Sequence, residues 1–403
     1  PVLIIDQLLG YLLTYSKLHG LMALEDLSMD IKKLANPGAL KTKAYVPGKL
    51  KRDVERELNM TGIIKLASNE SASGPSSLAQ DAYHTLADRL HLYPDSASRD
   101  LRAKLSALLG VDSGRITVAN GADGVIYNLG MGVIDQDDEI IIPEVTFPMY
   151  ESITKIMRGT PVYTPLKGYR IDLDAILSAA TKRTKAIFLC NPSNPTGDAL
   201  PRDELRTFLR SVPKEVLIVL DEAYIEFTDP GSDPSSIALI NEGMDNLFVI
   251  RTFSKLFGIA GLRVGYGIGN RELIELIHRI KEPFNVSSVG EFVALQALED
   301  AEFKERTLEH VKREKEFFYQ NLEEMGFPFV RSHTNFILID LETAAQTVSE
   351  ALLHEGVIVR PVTKFGLPTC IRVTLGTHEE NERFFEAFRK VMELHGAAST
   401  GRR

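Results

Sequence analysis

Lys255 follows the apolar run Leu247 to Ile250 and closes the polar knot Arg251–Thr252–Phe253–Ser254–Lys255. A lysine at the end of a buried strand is partly desolvated, which lowers its pKa and frees the amine for Schiff-base chemistry. Taken singly, such a lysine is more often a solvated surface residue, so its partners decide. Asp221 stands where the apolar stretch EVLIVLD stops, with Tyr224 three residues on. A carboxylate there needs a cation or hydrogen-bond donors to offset several kcal/mol of desolvation, and a pyridinium nitrogen would serve. Asn191-Pro192-Ser193-Asn194-Pro195-Thr196-Gly197 is a rigid turn that aims an amide. Gly121-Ala122-Asp123-Gly124 follows RITVAN and opens a helix, where free backbone N–H groups can hold a phosphate. A plain strand-to-helix turn is the commoner meaning of that stretch by itself. Thr252 and Ser254 add hydroxyls, and Arg263 adds a fixed guanidinium clamp. Each element is weak alone. In order, the phosphate turn, amide, carboxylate, lysine and arginine describe a site for pyridoxal phosphate.

These residues need a scaffold that brings strand ends together. RITVAN, DEIIIP, TPVYTP, KAIFLCNP, EVLIVLDEAY and NLFVIRT read as strands, with helices near 122–134, 147–157, 172–180 and 202–211. Apolar runs alternating with helices imply an α/β fold with a parallel sheet covered on both faces, whose ligands bind beyond the carboxyl ends of the strands. Upstream, residues 28–60 read as a polar linker, GIIK as a short strand, Ser76 to Leu90 as a helix, and SRDLRAKLSALLG as a helix capped by Gly110. Downstream, a helical region interrupted at Pro283 runs to about Met325. FVRSHTNFILIDL, GVIVRPV and CIRVTLG then read as strands, with helices at 343–354 and 378–394. This suggests a separate small α+β domain. The last helix carries a capping box, Thr377 with Glu380, and is expected to end at Gly396.

Charge and composition narrow the partners. A net charge of −9 gives no global pull toward nucleic acid or an anionic membrane. The two cysteines, Cys190 and Cys370, lie too far apart for a zinc knuckle or a redox pair and fit a reduced, cytoplasmic setting. Cys190 falls in a buried strand and reads as packing. No metal site is expected: His378-Glu379-Glu380 is not HExxH, and a solvated helix start explains it. The apolar N-terminus is interrupted at Asp6 and too short to span a bilayer, so residues 1–44 read as a helical arm packed on a domain surface or a neighbouring subunit. Gly265, Gly267 and Gly269 lack the spacing of a dinucleotide loop.

The motifs AYVPGK, KLASNE, LYPD, NGAD, CNPSNPTG, LDEAYIEF, RTFSKLFGIAGLRVGY, TNFIL, GVIVRP and CIRVTLG, in that order, resemble those of the fold type I pyridoxal-phosphate enzymes. From about Tyr45 to His395 the chain is similar to the class I/II aminotransferases, and within them to the histidinol-phosphate aminotransferases. That resemblance implies a large domain, residues 76–289, with a mostly parallel seven-stranded sheet. It also implies a smaller α+β domain from 45–75 and 290–396, and a loose tail at 397–403. It makes Lys255 the Schiff-base lysine and proton carrier, and Asp221 the partner of the pyridinium nitrogen. Asn194 and Tyr224 would bond the ring hydroxyl, and Phe147 would stack on the ring. The Ala122 and Asp123 amides, Thr252, Ser254 and Arg263 would hold the cofactor phosphate, joined by Tyr93 from a partner subunit of a homodimer. Arg372 would bind the substrate's anionic group, with Arg360, Asn335 and Tyr45 nearby. The expected reaction moves an amino group from histidinol phosphate to 2-oxoglutarate. The chain departs from the pattern at Gly124, where relatives carry an acidic residue, and at Ser71-Ala72, where they carry Asn-Pro; both positions bear on the substrate.

Two alternatives stay open on these residues. An aminotransferase for another amino acid would use the same set. So would a lyase resembling threonine-phosphate decarboxylase, because the bond broken depends on how the substrate stands against the ring. A non-catalytic binding protein of this fold is disfavoured by the intact lysine, carboxylate, amide and arginine.

Overall fold

The computed structural model describes residues 29–44, 47–229, 232–233 and 235–400. Most of the expected N-terminal arm, residues 1–28, and Tyr45 lie outside the described residues. In chain order the first strands are β1 Ile64–Lys65, β2 Ile116–Asn120, β3 Glu139–Pro143, β4 Thr160–Thr164, β5 Leu166–Lys167, β6 Arg170–Ile171 and β7 Thr184–Cys190. They are followed by β8 Leu217–Asp221, β9 Leu247–Thr252, β10 Val264–Ile268, β11 Phe336–Asp340, β12 Val357–Ile358, β13 Arg360–Pro361 and β14 Cys370–Thr374.

Runs such as Ile218–Leu220 and Phe248–Ile250 have no polar face, so they are stable only with both sides covered. They occupy the middle of a seven-stranded sheet in the order β2-β10-β9-β8-β7-β3-β4, with helices Gly121–Val133, Met149–Ile156, Leu173–Ala179 and Arg202–Ser211 between strands. All neighbouring pairs are parallel except those of β10, which runs antiparallel to β2 and β9. β10 was not among the expected strands. Gly265 and Gly267 alternate with Val264, Tyr266 and Ile268, so one face of the strand is bare backbone. That bareness is required: a Cβ on Gly267 would stand 2.4 Å from the Phe248 ring, and one on Gly265 would stand 2.4 Å from the Ala122 amide nitrogen.

Three further expectations change. Residues 28–60 are not a plain linker but hold the short helices Ile31–Leu34, Pro37–Leu40 and Lys51–Leu58. Caps make them: Asn36 Oδ1 accepts the Gly38 N–H at 2.8 Å, and Asn59 closes the third in a left-handed conformation. The helix expected to reach Leu90 stops at His84, where Thr85 Oγ1 donates back to the Ala82 carbonyl at 2.8 Å. The last helix, His378–Thr400, passes through Gly396 instead of ending there. Its capping box is present: Glu380 N donates to Thr377 Oγ1 at 3.3 Å, and Thr377 N donates to Glu380 Oε2 at 2.9 Å.

The C-terminal strands form a separate antiparallel sheet, β11-β14-β13, while β1 pairs in parallel with β12. Leu66, just beyond β1, receives the Thr374 N–H on its carbonyl at 2.9 Å. The carboxyl ends of β7, β8 and β9 therefore face the end of β14 across one cleft.

Candidate active site

β8 delivers Asp221 to the cleft in an almost fully buried position. Its Oδ2 accepts from Tyr150 Oη at 2.7 Å and its Oδ1 from the Ala223 N–H at 3.1 Å. Burial pushes its carboxyl up to about 6 against the pull of those two donors. Lys255, half-buried, extends Nζ to the Asn69 carbonyl at 3.3 Å and lies 5.4 Å from the Tyr224 ring centre. Loss of water, with Arg372 and Arg263 adding like charge, brings this amine down to about 8. Burial raises the Tyr224 phenol above its ordinary value, while its Oη accepts from Asn69 Nδ2 at 2.8 Å.

A second group surrounds the N-terminus of helix Gly121–Val133, which no side chain caps. The Ala122 and Asp123 amides thus keep donors for an anion. Arg263, held at a left-handed φ of 56°, reaches Ser254 Oγ at 3.5 Å and Asp123 Oδ2 at 3.2 Å. Thr252 Oγ1 donates to Ser254 Oγ at 3.0 Å. Gly121 sits at φ 76°, a left-handed conformation that favours glycine, and a Cβ there would stand 2.6 Å from Arg263 Nη2 and displace the guanidinium.

Arg372 approaches from β14. Its Nη1 donates to Asn194 Oδ1 at 2.6 Å and its Nη2 to the Ala67 carbonyl at 3.0 Å, with the guanidinium 5.2 Å from the Phe336 ring centre. Arg360 is its direct cross-strand neighbour and lies 5.8 Å from the Phe365 ring centre. The register therefore sets two guanidinium groups side by side on one face of the sheet. Both arginines, Lys255, Asp221, Asn194, Tyr224, Phe147 and the phosphate group of residues line one cavity of about 360 Å³. A neighbouring cavity of about 730 Å³ shares Arg360 and Phe365 with it.

Two expected residues stand at or beyond the margin of this cavity. Tyr93 is 83 % exposed and stacks on Phe284 with ring centres 4.7 Å apart, away from the cavity of its own chain. Asn335 is buried, and its Nδ2 donates to the carbonyls of two cavity-lining residues, Asn69 at 3.2 Å and Glu70 at 3.3 Å. It thereby holds the same Asn69 carbonyl that accepts from Lys255 Nζ, while its own Oδ1 is buried with no hydrogen-bond partner among the described residues. Three residues were missed: Tyr150, Asn69 and Thr374. Tyr150 carries no motif of its own, and only its place one helical turn after Phe147 hints at a shared role. Asn69 sat inside the quoted KLASNE and Thr374 inside CIRVTLG, but nothing local says that they meet.

The arrangement combines a nucleophilic amine, an ionisable buried carboxylate, an anion cradle and a pair of cations. The chain matches the model of the family described as aminotransferase class I and II over residues 61–388. It is 41% identical to the histidinol-phosphate aminotransferase of Caldicellulosiruptor saccharolyticus over 86% of this chain and 97% of that protein. It is 40% identical to the enzyme of the same name from Moorella thermoacetica over 88% and 92%. Among solved structures it resembles the histidinol-phosphate aminotransferase of Sinorhizobium meliloti in complex with pyridoxal-5'-phosphate, with TM-score 0.83, 24% identity and coverage of 91% and 99%. The Clostridium acetobutylicum histidinol-phosphate aminotransferase aligns with TM-score 0.75 and 27% identity, covering 82% and 99%.

Proposed function

This chain belongs to the class I and II aminotransferases, a pyridoxal-phosphate-dependent family, and on that premise we propose that its amino donor is histidinol phosphate and its acceptor 2-oxoglutarate. The observation that carries this reading is the cross-strand pair Arg360 and Arg372 beside Lys255, two cations placed for a substrate with an anionic end. Identities of 36% to 41% to enzymes named for that substrate support it.

The residues suit the cofactor. Asp221 would meet a basic ring nitrogen, Asn194 and Tyr224 a ring oxygen, and Phe147 a ring face. The Ala122 and Asp123 amides, Thr252, Ser254 and Arg263 would take the phosphate. When bound, pyridoxal phosphate supplies a reactive aldehyde and a ring that withdraws electrons. The rest is done by the chain. Lys255 Nζ, down to about 8, is neutral in an appreciable fraction near neutral pH and can attack a carbonyl or take a proton. Asp221 is charged above about 6 and so favours the protonated form of a nitrogen beside it. Arg372, held on Asn194 and Ala67, fixes the anionic end of the amine so that the carbon to be deprotonated stands near Lys255.

We read the active unit as a homodimer, with Tyr93 serving the partner's site; its exposure and that of Leu90 and Leu92 support this. The two unpaired, buried cysteines suit a cytoplasmic protein. The division into residues 76–289 and residues 45–75 with 290–396 is supported by the pairing of β1 with β12.

Mixing the loaded enzyme with single amines tests the reading. Histidinol phosphate should bleach the visible absorbance, and 2-oxoglutarate should restore it. Faster conversion with an aromatic amino acid would replace the donor. Release of carbon dioxide from threonine phosphate without bleaching would make the chain a lyase.

A further inference from the structure

Thr374 ends β14 two residues beyond Arg372, on the same face of the strand. Its Oγ1 accepts the backbone N–H of Asn69 at 2.9 Å, so its single proton is left for another acceptor. Asn69 Oδ1 receives that proton at 3.2 Å. An amide side chain carries oxygen at one end and nitrogen at the other, so anchoring Oδ1 on Thr374 turns Nδ2 toward Tyr224. Tyr224 Oη accepts it at 2.8 Å. All three side chains are buried, and water does not compete for these bonds. Asn69 sits at φ 54°, a left-handed conformation that asparagine and aspartate adopt more readily than most residues. With an acceptor role on its buried side, the Tyr224 hydroxyl directs its own proton into the cavity that holds Lys255.

We propose that Thr374 and Asn69 are positioning residues that set the direction of the Tyr224 hydroxyl, so that it donates into the cavity to an oxygen of the bound cofactor. The proposal rests on the reading of Tyr224 as the partner of that oxygen. Its consequence is that one strand face does two jobs: Arg372 takes the anion of the amine, and Thr374 fixes the polarity of the phenol.

Three substitutions separate polarity from packing. Asn69→Asp is isosteric and tolerates the same backbone, but its carboxylate can only accept, which draws the Tyr224 proton away from the cavity. Thr374→Val keeps the shape and removes both the donor to Asn69 Oδ1 and the acceptor of the Asn69 N–H, whereas Thr374→Ser keeps both. The readout is the tyrosine C–O stretch of the full chain without cofactor, isolated by subtracting the Tyr224→Phe spectrum. This band moves in opposite directions for an accepting and a donating phenol. It should shift toward the donating form in Asn69→Asp, partly so in Thr374→Val, and stay in place in Thr374→Ser. With cofactor and amine, kcat should fall roughly 100-fold in Asn69→Asp at nearly unchanged KM. It should fall about tenfold in Thr374→Val and recover in Thr374→Ser. An unshifted band in both Asn69→Asp and Thr374→Val overturns the proposal, whatever the activities. If the band shifts as expected while the wild-type chain transaminates no amine, the functional reading fails and the polarity stands.

Discussion

An amine that titrates near 8 and a carboxylate that titrates near 6 share one cavity, both moved toward neutrality chiefly by loss of water. The lysine's shift is testable in the cofactor-free chain. Acylation of Lys255, followed by peptide mass spectrometry, should reach half its maximal rate near pH 8, well below exposed lysines; a midpoint above about 10 contradicts desolvation at this site. Asp221 has a consequence for stability. Its folded pKa lies above the ordinary 3.8, so folding favours its protonated form. The stability it contributes is complete below about 4 and is lost as pH rises through about 6, a loss of up to about 3 kcal/mol. Asp221→Asn removes the titration. Urea unfolding of the cofactor-free variant should show a smaller fall in stability between roughly pH 4 and 8 than the wild type, together with a large loss of activity. Equal falls would mean that the carboxylate is already solvated.

At the scale of elements, β10 shows how a strand without side chains on one face makes a binding site. Its bare face lets helix Gly121–Val133 pack against backbone, which brings the Ala122 amide and Arg263 into the same corner. Gly265→Ala would drive a methyl group to 2.4 Å from the Ala122 nitrogen and push the helix start outward. The cofactor should then bind at least about tenfold more weakly while the unliganded chain still folds, as read by equilibrium dialysis and circular dichroism. Unchanged affinity would mean that the helix N-terminus does not hold the phosphate. The antiparallel pair β13 and β14 is the corresponding device on the opposite wall, since its register makes Arg360 and Arg372 neighbours.

At the scale of the whole molecule, the exposed Tyr93 and the cavity of its own chain are separate, and the homodimer reading unites them across two chains. Complementation checks this. Lys255→Ala and Tyr93→Ala chains, each impaired alone, should regain activity when unfolded and refolded together, because one site of a mixed dimer then carries both defects and the other neither. No gain over the separate variants would return Tyr93 to a role within its own chain or to none.

What was legible in the sequence was what short segments encode. Unbroken apolar runs are stable as strands only when buried on both sides, so β2, β3, β7, β8 and β9 and the polar residues at their ends followed from local composition. The order of Asn194, Asp221, Lys255 and Arg263 followed in the same way. β10 was hidden because glycine carries no strand signal, and its strand state comes from pairing on both edges with β2 and β9. The short helices before residue 60 were hidden because caps and contacts form them, as where Gly38 packs on the carbonyls of Lys155 and Ile156. The sequence by itself therefore determined the lysine, carboxylate, amide and arginine at the strand ends, but not Tyr150, Asn69 or Thr374. Only the tertiary structure decided that Tyr150 fixes Asp221 and that Thr374 and Asn69 orient Tyr224. Those hydrogen bonds join segments remote along the chain, and their directions depend on which buried donor is left over once every nearer partner is satisfied.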